Sequence, residues 1–382
     1  MQTDFFLFLL LVCYAGATLW QMLVCCGIYA RFALYRGEKN RLQEREKNTL
    51  LLPFSVIICA RNEADNLRRH LPSVLQQDYA GEWEVLVVDD DSSDNSPDVL
   101  AALQSVYPRL KYLTLKNKVL KGKKYALEQG ILSASNEYLL LTDADCAPVG
   151  NKWLACMAEL FTSKSDTEIV LGFGPMQTTT GMLNRWIRFE TAHTALQYFS
   201  FALAGMPYMG VGRNLAFTKQ TFERVGGFAE HRHIPSGDDD LLVNAAANSH
   251  NTVICLYPGS FMYSAGKTNW SEWLAQKRRH LGASTVYRPL HKWLLAAIGL
   301  SLVFHYFFLF LLLVTVQYAV PALLLYVVRQ VMLHFLYKRV FTLLQCRDLL
   351  WYTPLMDAGM AIYTGIVVPW FLWVKRSDMG WK

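Results

Sequence analysis

The stretch Tyr138-Leu-Leu-Leu-Thr-Asp143-Ala-Asp145 decides the fold. An aromatic followed by three leucines is a short, wholly apolar run, the pattern of a strand buried on both faces of a parallel sheet. The run stops at two carboxylates separated by one residue. A strand that ends in acids delivers them to the carboxyl edge of the sheet, where open α/β sheets bind their ligands. Side chains two apart on an extended segment project to the same side. Asp143 and Asp145 can therefore share one hard divalent cation, the usual way to hold a diphosphate.

The same alternation recurs toward the amino terminus. Phe54–Ala60 is a β-type run closed by Arg61-Asn62-Glu63. Residues 64–77 carry Leu67, Leu71, Val74 and Leu75 as a helical stripe, which Pro72 is expected to kink or split. A second strand over 84–88 ends in Asp89-Asp90-Asp91-Ser92-Ser93-Asp94. A helix from about Pro97 to Tyr107 follows, with Asp94 or Ser96 as its cap. Residues 111–115 form a third strand, and Lys121-Gly122-Lys123-Lys124 precedes a helix through Gln129. Strands alternating with helices imply βαβ units, an α/β domain with a mainly parallel sheet. Three polar or acidic strand ends then share one edge.

Beyond Asp145 the pattern loosens. Residues 168–173 read as a strand, and Gly210-Val-Gly-Arg213-Asn214 as a tight turn into a strand at 215–217. Ser236-Gly-Asp238-Asp239-Asp240 places three acids at the opening of a helix, where the dipole favours negative charge. Gln276-Lys-Arg-Arg279-His280 is basic.

Composition adds a membrane. Of 382 residues 53% are hydrophobic and 18% charged, too apolar a balance for an ordinary soluble enzyme. Residues 5–30 lack charge and are long enough to cross a bilayer, so 4–30 reads as an uncleaved anchor. Arg31, Arg36, Lys39, Arg41, Arg45 and Lys47 follow in a basic linker over 31–53, which puts that flank in the cytosol. Residues 183–203 are interrupted by Arg185, Arg188 and Glu190, and read as an interfacial or partly buried helix. A carboxyl-terminal membrane region over 293–374 holds two or three spans. Its first block, 293–336, is divided by Pro321, a polar break covers 338–348, and a third block covers 352–374. Three full crossings would leave Lys375, Arg376 and Lys382 outside, against the charge rule, so one block is expected to be re-entrant or interfacial. Arg329 is expected to snorkel or to sit near a helix end. The net charge of +6 clusters beside apolar blocks, which fits lipid headgroups and phosphates rather than nucleic acid, for which there is no motif. Eight cysteines without CxxC spacing argue against a zinc site or a disulfide framework.

Taken together, these motifs resemble the family 2 glycosyltransferases of the GT-A fold, especially membrane-anchored members that glycosylate lipids or make polysaccharides. The resemblance covers about 54–282. It implies that Asn62 and Glu63 contact the nucleotide and that Asp90 holds uracil or ribose; Asp91 stands where glycine is usual. Lys123 would lie along the diphosphate, and Asp143 and Asp145 would hold Mg²⁺ or Mn²⁺. Gly237-Asp-Asp-Asp-Leu241 is similar to the segment that carries the catalytic base. Aligned on Leu241 the base is Asp238, with Gly237 in place of glutamate; slid by one residue it is Asp239. Gln276 and Arg279 are similar to the Gln-x-x-Arg-Trp motif, in which arginine meets the diphosphate, and His280 replaces the tryptophan. Arg213 and Asn214 occupy a turn that in relatives lies near donor and acceptor. The implied reaction is inverting transfer from a nucleoside-diphosphate sugar, expected to be uridine-linked, to a membrane lipid or lipid-linked acceptor. The expected location is a cell inner membrane, multi-pass, with the catalytic domain cytosolic. A processive polysaccharide synthase and a non-catalytic scaffold are the competing readings.

Overall fold

The computed structural model describes residues 2–36, 51–116, 122–234 and 236–373. Lys39, Arg41, Arg45 and Lys47 of the basic linker, Lys121, and the terminal Lys375, Arg376 and Lys382 lie outside the described residues. The chain divides into two compact units. One contains the sheet; the other joins the amino-terminal helix, Arg185–Ser200 and the chain from Tyr287 onward.

In the sheet unit, β1 (Phe54–Ala60) and β2 (Trp83–Asp89) are buried along their whole length. β4 (Tyr138–Asp143) is buried in its interior. That is why all three read as mostly apolar runs, interrupted only at Ser55 and Glu84 before their polar ends, rather than alternating ones. β1 pairs in parallel with both: Phe54 lies opposite Trp83 and Tyr138, and Cys59 opposite Val88 and Asp143. β3 (Leu110–Thr114) extends the parallel set beyond β2 as a more exposed edge. On the other side β7 (Leu215–Thr218) pairs antiparallel with β4, and β6 (Ile169–Leu171) and β8 (Thr252–Ile254) complete the sheet. Among the described residues the order is β3-β2-β1-β4-β7-β6-β8, with a separate antiparallel pair of β5 (Cys146–Pro148) and β9 (Met262–Ser264). Under the sheet Leu67, Leu71, Val74, Leu100, Trp153 and Met157 are buried. Each such side chain contributes about 1.5–3 kcal/mol by leaving water.

The Ala64–Leu75 helix is not split by Pro72. Proline falls in its last turn, and the Gln76 amide donates to the Pro72 carbonyl at 3.1 Å as the helix stops. The proline withholds one amide from the Arg68 carbonyl, but only the last turn follows it, so no second helical segment forms. Asn95, rather than Asp94 or Ser96, stands at the N-cap of the Ser96–Val106 helix, but Asp94 bonds the first amide of two helices. Asp94 Oδ1 accepts from the Ser96 amide at 2.9 Å and its Oδ2 from the Ala64 amide at 3.0 Å. Ser96 Oγ accepts from the Glu63 amide at 3.0 Å.

In the helical unit, Gln2–Ala33, Pro289–Thr315 and Ala319–Leu343 are long and apolar enough to cross a membrane, and they fit membrane anchoring. The last two are divided at Val316, with φ +63°, rather than at Pro321, which sits in the first turn of the next helix. Proline is tolerated there because its missing amide would have no partner anyway. The expected polar break begins later, because that helix continues to Leu343. The third block is helical over Thr353–Ile362, Tyr363–Val367 and Val368–Trp373.

Arg329 does not snorkel; it is 2% exposed. Its guanidinium donates to both Asp357 oxygens at 2.6 and 3.1 Å, and Nε to Gln21 Oε1 at 2.8 Å. A charge with a carboxylate partner in the next block can stay inside, which a lone arginine cannot. Residues 183–203 likewise take the buried alternative, as the Met182–Leu203 helix. Within its Arg185–Ser200 section Ile187, Phe189, Leu196 and Phe199 are buried. Arg188 grips Asp348 through two bonds of 2.6 and 2.7 Å.

Candidate active site

Parallel pairing brings the carboxyl ends of β1, β2 and β4 to one edge. Asn62 ties the first two loops together. Its amide donates to Ser92 Oγ at 2.9 Å, and its Oδ1 accepts from the Ser93 amide at 2.8 Å. To do so Asn62 takes φ +55°, a left-handed conformation that asparagine tolerates better than most residues. Asp89 and Asp90 are fully buried behind this junction.

Beside it, Gly122 at φ +116° turns the chain into the Lys123–Ser133 helix. The Lys123 ammonium then reaches Asp143 Oδ1 at 2.7 Å and Asp238 Oδ2 at 3.3 Å. One cation thus joins the end of β4 to the acidic turn ahead of the Asp240–Ala246 helix. Ile57, Cys59, Leu127, Leu141, Thr142 and Gly212 complete the lining of this small cleft. Burial opposes ionisation of Asp143, but Lys123 outweighs it and holds the carboxyl below its ordinary range. Burial likewise opposes charge on Lys123, and Asp143 with Asp238 outweighs it, holding the ammonium well above its usual value. Asp145 goes the other way, pushed up by burial and by the Asp143 charge. Glu63 is raised too, by burial and then by Asp145 and Asp143. Such a crowd of carboxylates is relieved by added positive charge. Ligand atoms of Asp143, Asp145 and Cys146 lie within 4.8 Å of one another, a grouping that can hold a metal ion.

The two candidates for a base are placed differently. Asp239 is occupied: its Oδ1 accepts from the Asp240 amide at 2.9 Å and its Oδ2 from the Gly212 amide. Burial and the Asp238 charge raise it to about 6. Asp238 faces the cleft beside Lys123. The Trp270–Ser284 helix, which carries Gln276, Arg279 and His280, is pinned to this turn by Ser236 Oγ, which donates to the Arg279 carbonyl at 2.7 Å.

Residues 55–205 match Glycosyl transferase family 2, and residues 138–371 match Glycosyl transferase family group 2. The chain belongs to family 2 of the glycosyl transferases. It is 24% identical over 270 residues to the "Probable glycosyltransferase YdaM" of Bacillus subtilis, covering 68% of this chain and 61% of that one. It is 27% identical over 214 residues to a "Beta-monoglucosyldiacylglycerol synthase" of Trichormus variabilis, covering 53% of this chain and 43% of the relative. The chain thus spans less than two thirds of the length of either relative. Among solved structures, the mannosyltransferase PcManGT of Pyrobaculum calidifontis, in complex with GDP-Man and Mn²⁺, superposes with a TM-score of 0.55 at 18% identity. That alignment covers 92% of this chain and 99% of the other, and it shows a shared GT-A-like fold.

Two departures from the family 2 pattern have local causes. Asp91 adopts φ +58°, so it takes the conformation that glycine would have provided. Gly237 has φ +81°, and a Cβ there would lie 2.7 Å from the Ala283 methyl, leaving no room for glutamate. Asn214, a candidate contact, is turned inward instead: its amide group bonds Trp153 Nε1 at 2.9 Å and the Phe173 and Ser260 carbonyls at 2.8 Å. Lys124 is also engaged, donating to the His231 carbonyl at 2.8 Å, and burial lowers it to about 8. Cys146 and Gly212 were not among the site residues read from the sequence. Adjacency to Asp145 was the available signal for Cys146; the role of Gly212 belongs to its backbone amide.

Proposed function

We propose that this glycosyltransferase transfers a sugar, with inversion, from a nucleoside-diphosphate donor to a hydroxyl on a membrane lipid or lipid-linked acceptor. The observation that carries the proposal is the position of Lys123, within salt-bridge distance of both Asp143 and Asp238. An acid suited to the donor side and an acid suited to the acceptor side are thereby held around one cation.

Asn62, Glu63 and the loop that carries Asp90 would bind the nucleoside end, and Lys123 the diphosphate. Asp143 and Asp145 would hold a divalent cation, Mg²⁺ or Mn²⁺, which offsets charge on the departing diphosphate. Their raised and lowered carboxyls and the compact ligand grouping fit that charge. Asp238 serves as base. Its carboxylate takes the acceptor proton as the acceptor oxygen forms a bond to the anomeric carbon, and the bond from that carbon to the diphosphate breaks. A single displacement inverts the configuration. Asp239 orients the turn through Gly212 and Asp240. Gln276 and Arg279 are assigned to the diphosphate and acceptor side of the same cleft. A lipid acceptor is supported by the monoglucosyldiacylglycerol synthase relative and by three helices suited to a membrane. A uridine nucleotide is the proposed donor carrier, and the basic flank at Arg31 and Arg36 supports a cytosolic catalytic domain at the cell inner membrane.

The test is turnover by purified full-length protein in detergent, with Mn²⁺ or Mg²⁺, a panel of UDP- and GDP-sugars, and membrane lipid extract. Metal-dependent release of the nucleoside diphosphate with a singly glycosylated lipid is expected. A long polymer would instead establish a synthase. Absence of both release and nucleotide binding would overturn the enzymatic reading.

A further inference from the structure

Arg213, whose turn the family resemblance places only near donor and acceptor, carries a guanidinium whose charge reaches the paired acids. β4 and β7 pair antiparallel with Leu141 opposite Leu215, and the short helical turn Gly212–Asn214 just ahead of β7 carries Arg213, next to Gly212, which lines the same cleft as Asp143. Its flanking residues are fixed. The Gly212 amide donates to Asp239, and Asn214 is anchored through Trp153, Phe173 and Ser260. The Arg213 stem lies flat on Gly174, where even a methyl group would collide with Nε, Cδ and Cγ. Nε is buried without a hydrogen-bond partner. A buried donor left unsatisfied costs about 1–3 kcal/mol, so a fold that keeps one invites an acceptor from outside the chain. The charge of Arg213 also acts on both Asp143 and Asp145.

We propose that Arg213, seated on Gly174, is a diphosphate-binding residue of the donor site, contacting phosphate oxygens alongside Lys123. The assignment rests on the donor reading above. Guanidinium suits this task better than ammonium because its planar fork can meet two phosphate oxygens at once. The tight seat on Gly174 limits the freedom Arg213 must lose on binding, which favours the bound state.

The experiment measures binding of UDP and of GDP, each with MnCl₂, to full-length protein in detergent by calorimetry, alongside UMP and GMP. Arg213→Ala is expected to weaken diphosphate binding roughly 10- to 100-fold, the scale of a lost charge-assisted contact, and monophosphate binding less. Arg213→Lys should be intermediate. Gly174→Ala, which keeps the charge but unseats the side chain, should weaken binding in the same direction. If Arg213→Ala does not fold, the last two variants carry the measurement. Wild-type affinity in Arg213→Ala, with binding lost in Lys123→Ala, would overturn the assignment and leave the donor reading standing. No diphosphate binding by the wild type would overturn both. Unchanged diphosphate binding with weakened binding of short-chain phosphatidic acid would move the contact to an acceptor phosphate, and that also overturns it.

Discussion

The Lys123 ammonium lies 2.7 Å from Asp143 Oδ1, on one of the two carboxylates that the chain offers to a metal ion. A cation arriving at Asp143 and Asp145 must share Asp143 with a charge already there. A diphosphate arriving with it gives Lys123 somewhere better to go. On the proposed reading metal and donor would therefore favour each other's binding, and Asp238, 3.3 Å from the same ammonium, would be released by the same event.

Lys123→Gln should separate these effects. Without the competing ammonium, Mn²⁺ alone should bind several-fold more tightly, as read by the loss of the free-ion electron paramagnetic resonance signal. Transfer should fall by about 100-fold or more, because the point charge on the diphosphate is gone. Weaker binding of Mn²⁺ alone would show that Lys123 does not compete for Asp143.

Asp238→Asn should reduce transfer by roughly 10²- to 10⁴-fold, the range for removal of a general base. Binding of nucleoside diphosphate with Mn²⁺ should survive, since the substitution leaves Asp143, Asp145 and Lys123 in place. Retained turnover in Asp238→Asn would shift the base to Asp239.

Asp239 has a pH signature of its own. Its folded-state value of about 6 lies above the ordinary 3.8. The folded chain therefore binds the proton more tightly than the unfolded chain. Stability from this group is fully present below pH 3.8 and is lost as pH rises through about 6. Asp239→Asn removes that titration. From about pH 4.5 to about pH 7 the Tm of the wild type should fall relative to that of the variant, by roughly 2–4 °C. Parallel Tm curves would place the titration elsewhere.

Gly237→Glu restores the residue usual in the family, yet it should destabilise rather than activate. Glutamate would have to hold φ near +81° and push into Ala283, 2.7 Å from its new Cβ. Strain and overpacking together should cost about 2–4 kcal/mol, read as a fall in the denaturation midpoint. A gain in turnover at unchanged stability would refute this account of the departure.

These glycines and acids show what was legible in the chain. β1, β2 and β4 were legible because burial on both faces writes itself as a mostly apolar run, and each run ends at a polar cluster. The left-handed turn at Asp91 was not, since aspartate carries no mark of the sign of φ. Asn214 looked like a site residue, and only the fold shows that Trp153, 61 positions away, claims its side chain. The fates of Asp238 and Asp239 differ by two backbone amides, those of Asp240 and Gly212, and no spacing rule reveals the second. Local pattern reports burial and strand ends; it does not report which polar group a distant segment has already engaged.

The same limit explains Arg329, whose partner Asp357 lies 28 residues on, in a separate apolar block. Neither residue alone belongs in a membrane-facing segment, and together they are 2% and 9% exposed with a 2.6 Å contact. Tyr306 donates to Asp357 Oδ2 at 2.7 Å and Gln21 accepts from Arg329 Nε, so four helical segments meet at one ion pair. Removing one partner leaves the other charge buried and uncompensated, at a cost of about 3–5 kcal/mol, whereas removing both can be nearly neutral. Asp357→Ala should therefore lower the Tm in detergent sharply. Arg329→Leu combined with Asp357→Leu should recover most of that loss, while nucleotide binding by the sheet unit stays unchanged in every variant. If the double variant is as unstable as the single one, the hydrogen bonds of Gln21 and Tyr306, and not the buried charge, hold these helices together.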